Sequence, residues 1–170
     1  MKKIFLPLLG FICLSMVSRA QIAFVDTKFI LNKMPDFTDS IAKLNNLSAI
    51  WQKEIDDKQA VLERMYKDFE KDEAMLSDEH KKKRSGQIFI HEKELRDLQR
   101  ARFGYQGDLY KKRQELVKPI EDRVNIAIKS TATRLSYTAV IDKSEGNTVL
   151  FSKATLDITE EVEKELGMIK

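Results

Sequence analysis

Cysteine, proline and glycine are all scarce in this chain: Cys13 is the only cysteine, and 170 residues hold three prolines and six glycines. Cys13 falls in an N-terminal segment that reads as a secretory signal. The mature chain is therefore expected to have no thiol, which excludes disulfides, thiolate catalysis and cysteine-based zinc sites. The scarcity of helix breakers, with 34% charged and 42% hydrophobic residues, suits long helices better than an all-β fold or a disordered tail. No Gly-x-x-x-x-Gly-Lys run is present; Gly104-x-x-Gly107 in a charged helix is no phosphate cradle. The two histidines, His80 and His91, would lie ~16 Å apart along one helix, too far for a single ion. Asp142, Ser144 and Glu145 read as a polar turn, lacking the length and ligand order of a calcium loop. No serine stands in a nucleophile elbow. We expect no enzyme, no cofactor and no metal site.

What is present begins with the signal. Lys2 and Lys3 precede an apolar run, residues 4–17, and Ser18 and Ala20 supply small residues before Gln21. Cleavage is expected after Ala20, because about 14 apolar residues are short for a membrane span of roughly 20. Cys13 is preceded by Gly10-Phe11-Ile12, which is no lipobox. Removing Lys2, Lys3 and Arg19 turns the formal charge of +3 into a neutral mature chain with 27 basic and 27 acidic residues.

After the signal, Ile22 to Val25 is strand-like, and Asp26 can cap a short helix that Pro35 stops. Asp36 or Thr38 should restart a helix. From Ile41 an a/d series follows: Ile41, Leu44, Ser48, Trp51, Ile55, Lys58, Leu62, Met65, Phe69, Asp72, Leu76. Eight of these eleven are apolar, which is a coiled-coil seam. Glu54/Lys58 and Glu63/Lys67 are spaced as i,i+4 pairs. Ser77, followed by Asp78 and Glu79, looks like the cap of a second helix with Ile88, Leu95, Leu98, Leu109 and Leu116 on its apolar face, widened by Phe89, Phe103, Tyr105, Tyr110 and Val117. Two long helices joined by a few residues must run antiparallel. Residues 38–79 carry 11 acids and 6 bases, and residues 80–117 carry 11 bases and 5 acids, so the two halves attract. Gly86, Gly104 and Gly107 within the second helix predict an arm that bends.

Beyond Lys118-Pro119 a third amphipathic helix runs through Ile120, Val124, Ala127, Thr131 and Leu135. Residues 137–142 and 148–151 are strand-like, and the loop between them, with Gly146 at positive φ, predicts a β-hairpin. A short helix capped by Asp157 or Thr159 closes the chain. The expected fold is α+β and mostly helical. A small α/β body (21–37 and 118–170) carries an inserted helical hairpin (38–117) with its tip near 77–84. Three short strands make a poor sheet on their own, so the body should associate. Ile22, Phe24, Val25, Val140, Ile141, Val149 and Phe151 are the strand residues expected to take part.

In order, "IAFVDTKFIL" after a signal peptide, the hairpin, "ELVKPIEDRVNIAIK", "YTAVIDKS" and "LDITEEVEKEL" resemble the Skp/OmpH-like family of periplasmic chaperones over essentially the whole mature chain. The resemblance implies a homotrimer whose bodies join through their strands and whose arms surround a cavity. Unfolded outer-membrane β-barrel proteins are held there without ATP. Trp51, Met65, Phe69, Met75, Phe89, Phe103 and Tyr110 are the candidate client contacts. For each, simple filling of the seam is the competing role, and Phe89, Phe103 and Tyr110, one position off the a series, are the better candidates for exposure. Best-known family members are strongly basic and this mature chain is neutral, so no lipopolysaccharide site carries over. The basic tip, Lys81, Lys82, Lys83 and Arg84, is expected to be a solvated helix end with at most a weak contact to an anionic membrane.

Two other functions compete. An exported coiled-coil adaptor would need the hairpin but no client surface, and should show a narrow a/d stripe with polar flanks. Nucleic-acid binding would rest on residues 81–84 alone; export and the neutral mature charge argue against it.

Overall fold

The computed structural model describes residues 21–144 and 149–169. The expected signal with Cys13, and the positive-φ turn expected at Gly146, lie outside the described residues. Strand β1 (Ile22–Val25) alternates as a half-buried strand should: Ala23 and Val25 enter the core while Ile22 faces solvent. Asp26 then caps helix α1 (Thr27–Lys33), its carboxylate accepting the Phe29 N–H at 2.8 Å. Pro35 does not merely end α1. It opens α2 (Pro35–Asp72), at a position whose N–H has no intrahelical partner anyway, so the helix restarts one residue ahead of Asp36.

With 38 residues, α2 is about 57 Å long. A 3₁₀ turn at Glu73–Met75 and extended Leu76 reverse the chain. Ser77 caps α3 (Asp78–Phe103) as its sequence context suggests, accepting the His80 N–H. The helices α4 (Asp108–Leu116) and α5 (Lys118–Arg134) bring the chain back to the body. Strand β2 (Ala139–Asp142), a 3₁₀ turn at Ala154–Leu156 and α6 (Thr159–Glu165) complete it.

The strands pair in parallel, Ile22 opposite Ala139 through Val25 opposite Asp142. Everything from α1 to α5 is therefore the crossover that a parallel pair requires. On its other side β1 meets the chain at a single bridge to Asp157, where the Ile158 N–H donates to the Phe24 carbonyl at 2.8 Å. The core below the sheet is Ala23, Val25, Ile30, Met34, Ile120, Val124, Ala127, Ile158 and Val162. The α5 row of Ile120, Val124, Ala127 and Thr131 is buried as its spacing predicts.

Three expectations are corrected. Among the described residues, 149–151 forms no strand and so no β-hairpin with β2, whose strand partner is the parallel β1. The Lys143 N–H donates to the Val25 carbonyl at 2.9 Å, and Lys143 Nζ lies 2.5 Å from Asp157. The second arm helix is interrupted at 104–107 rather than continuous, and only Gly86 of the three glycines remains inside a helix. Finally, Glu54 and Lys58 do not pair with each other. They pair across the seam, with Arg102 and Glu94, because the second helix brings its own opposite charges alongside them.

The C-terminal helix is held from outside its first turn. Ile158 is its N-cap and makes no side-chain cap, while Asp157, one residue earlier, accepts both the N–H and the hydroxyl of Thr159, at 3.0 and 2.6 Å. Burial alone would push Asp157 up, yet Lys143 and Thr159 donate to it strongly enough to hold its carboxyl below the usual range. Asp142 behaves alike: burial raises it, and donation from Thr27 and Ser144 more than reverses that. These two carboxylates tie the ends of β2, α1 and α6 together.

Candidate functional site

The arm's interior follows the a/d register. Leu44, Ile55 and Leu62 of α2 are buried, and Ile88 and Leu95 of α3 pack with Ile55 and Leu62; Met65, Phe69 and Leu98 lie partly buried against this cluster. Ionic contacts line the seam: Arg84 with Asp72 at 2.7 Å, Lys58 with Glu94 at 3.7 Å and Arg102 with Glu54 at 3.1 Å, while the Tyr66 hydroxyl donates to Glu92. That hydrogen bond to a carboxylate raises the Tyr66 pKa. Each exposed pair contributes little singly. Together they fix which faces of the two helices meet.

A pair of helices is only one layer deep, so it buries a narrow stripe and leaves both flanks to solvent. The candidate residues divide accordingly. Trp51, Met65 and Phe69 belong to the seam. Met75 in the tip turn, Phe89 (60% exposed), Phe103 and Tyr110 reach solvent. Trp51 packs edge-on against Phe103, with ring centroids 6.4 Å apart, and the Arg102 guanidinium lies over its indole at 5.1 Å. Of the basic tip, Arg84 is engaged by Asp72; Lys81, Lys82 and Lys83 make no ion pair among the described residues.

Five further apolar or aromatic side chains on the arm are exposed, and sequence reasoning does not single them out as contacts: Ile50, Val61, Tyr66, Ile90 and Tyr105. Their signal is positional, since all but Tyr105 lie outside the a/d register. Counted in heptads, Tyr66 and Phe89 fall on one flank, and Ile50, Val61 and Ile90 on the other. Both flanks of the arm are thus studded with large apolar groups between charges.

In the body, Val25 is committed to the core, whereas Ile22 is exposed and Phe24, Val140 and Ile141 are half-buried. Val149 is half-buried and Phe151 is 81% exposed beside Leu150 at 91%. Ile22, Phe24, Tyr137, Ile141, Phe151 and Leu156 line one open hollow. Among the described residues β2 pairs only with β1, so its outer edge offers backbone donors and acceptors without strand partners. Also among the described residues, no cluster of His, Cys, Asp and Glu is arranged to hold a metal ion, and no helix is long and apolar enough to cross a membrane.

Comparison with known proteins agrees with this architecture. A crystal structure from Caulobacter crescentus CB15, described as a putative outer membrane chaperone (OmpH-like), superposes with a TM-score of 0.61 at 11% identity, covering 90% of this chain and 88% of that one. No curated protein matches the chain in sequence. The family model for outer membrane protein (OmpH-like) matches residues 21–166, the whole span from β1 to the end of α6. The chain belongs to the OmpH-like family.

Proposed function

We propose that the protein is a holdase chaperone of the periplasm that works without ATP. In this reading the signal is removed after Ala20, and the bodies (21–37 and 118–170) associate into a homotrimer. The arms (38–117) enclose a cavity that retains unfolded outer-membrane β-barrel proteins. The observation that carries it is the exposure of large apolar side chains along a two-helix arm: Phe89, Ile90 at 56%, Ile50 at 55%, Val61, Tyr66 and Tyr110. A spacer or adaptor has no use for them. A client of alternating polar and apolar residues needs many weak, adaptable contacts, and several arms acting together raise avidity without any strong site.

Association is supported by the open edge of β2 and by the exposed Leu150 and Phe151 next to it. Lys81, Lys82 and Lys83, which make no ion pair among the described residues, support a weak contact of the tip with anionic membrane or acidic client segments. A direct assay is dilution of a urea-denatured outer-membrane barrel protein into buffer containing residues 21–170 and no nucleotide. Suppressed light scattering is the expected result. Scattering equal to that of client alone would remove the holdase reading and leave the adaptor.

A further inference from the structure

The interruption between α3 and α4 is built in a way that a simple helix break does not require. The a positions of the second arm helix, Ile88, Leu95, Arg102, Leu109 and Leu116, continue in register across it. An unbroken helix would place Tyr105 at the next d position, one heptad after Leu98, facing α2. Instead the Gly104-Tyr105-Gln106-Gly107 segment leaves the helix, and Tyr105 is 95% exposed.

This outward turn is held from several directions. The Gly104 N–H still donates to the Arg100 carbonyl at 2.9 Å, and the Gly107 N–H to the Gly104 carbonyl at 2.9 Å. Neither glycine has room for a side chain. A Cβ on Gly104 would overlap the Arg100 carbonyl oxygen, and one on Gly107 would come within 2.7 Å of the Ala101 carbonyl oxygen. Gln106 takes φ +54°, a conformation that costs a non-glycine residue on the order of 1 kcal/mol. On either side the segment is anchored by Arg102, which reaches Asp108 at 2.7 Å and Glu54 at 3.1 Å, and by Phe103 on Trp51. With Trp51, Arg102 and Phe103 packed at this level, the seam is closed without Tyr105. The residue contributes almost nothing to packing, yet two close backbone approaches and one left-handed residue display it.

We infer that the Gly104–Gly107 loop is a presenting loop, and that Tyr105, flanked by exposed Phe103 and Tyr110, is a contact for an extended segment of unfolded polypeptide. This rests on the holdase reading and names a binding residue within it. A tyrosine suits the task because it offers a broad apolar face and a hydroxyl while having few rotamers to lose on binding. Mid-arm placement puts the ring beside the client throughout its residence rather than at the tip, where it would be met only on entry.

The test uses residues 21–170 with a urea-denatured outer-membrane barrel protein, comparing wild type, Tyr105→Ser and, as an exposed apolar control on the body, Ile126→Ser. Tyr105→Ser should leave thermal unfolding unchanged and weaken client retention roughly two- to tenfold, the scale of one aromatic contact. Ile126→Ser should leave retention at the wild-type level. With p-benzoylphenylalanine at position 105, irradiation should give a crosslink to the client. Wild-type retention that Tyr105→Ser leaves intact overturns this inference while the holdase reading stands. Crosslinks only to a second copy of the chain overturn it as well, making the loop a self-association element. No retention by wild type removes the holdase reading, and this inference with it. A fall in thermal stability in Tyr105→Ser would mean that the ring packs, contrary to the inference.

Discussion

Replacing Leu62 by Ala should unfasten the arm and leave the body intact. Leu62 is one of four buried side chains in the arm's central cluster, with Ile55, Ile88 and Leu95. In an enclosed globular core such a change costs about 3–5 kcal/mol, part of it for the cavity left behind. Here the site has helices on two sides and solvent on the flanks, so Met65 and Phe69 can settle into part of the space. We expect about 2–3 kcal/mol, near the transfer term alone. Converted at 1.4 kcal/mol per decade, the arm's local opening becomes roughly 30- to 150-fold more frequent. The body core, centred on Val25, Val124 and Val162, shares no member with this cluster. Hydrogen exchange read by peptide mass spectrometry should therefore show amides of 50–70 and 85–100 losing protection, while those of β1 and α5 keep it. Equal loss in arm and body would refute the reasoning, because it would make the two cores one cooperative unit. Unchanged arm protection would refute it differently, by showing that Leu62 is not part of what holds the helices together.

Other outcomes follow from the same structure. Asp142 and Asp157 are held below their ordinary range, so their contribution to stability is complete above about pH 4 and is lost as pH falls through their lowered values. Lys143 is raised by Asp157, so its share persists below about pH 10.4 and is lost only as pH climbs past its folded value. Thermal melting should accordingly be flat between those limits, and Asp157→Asn should lower it within that plateau and flatten its acid edge. Gly86 lies in α3 with open space where a Cβ would project, nothing standing within 4 Å of it, so Gly86→Ala should stabilise that helix by about 0.5–1 kcal/mol. Gly104→Ala must displace the Arg100 carbonyl and should destabilise the arm. Circular dichroism melts of the two variants should move in opposite directions.

Much of the fold is legible in the sequence because helical periodicity is dense in information. The a/d series from Ile41 to Leu76, the α5 row from Ile120 to Thr131, and the caps at Asp26 and Ser77 each rest on several residues that agree. The strands are harder. β2 has four residues and finds its partner at the far end of the α1–α5 crossover, and nothing in "AVID" says whether that neighbour is parallel β1 or an antiparallel run nearby. Local pattern therefore favours a hairpin to 148–151, whereas Lys143, just past β2, pairs with Asp157, a residue beyond that run. The break at 104–107 is half visible. Its glycines stand out, but Leu95, Leu109 and Leu116 keep helical register across the gap, so the pattern reads as a bend. Which apolar residues stay exposed is least legible, because periodicity gives the face of a helix and not what covers it; Ile50, Val61 and Ile90 become apparent only once α2 and α3 are placed together.

The central claim is that the bodies assemble so that several arms act on one client. Native mass spectrometry of residues 21–170, alone and with a urea-denatured outer-membrane barrel protein, tests it most directly. A trimer that takes up one client chain is the predicted spectrum. A stable monomer with no client complex would contradict the claim.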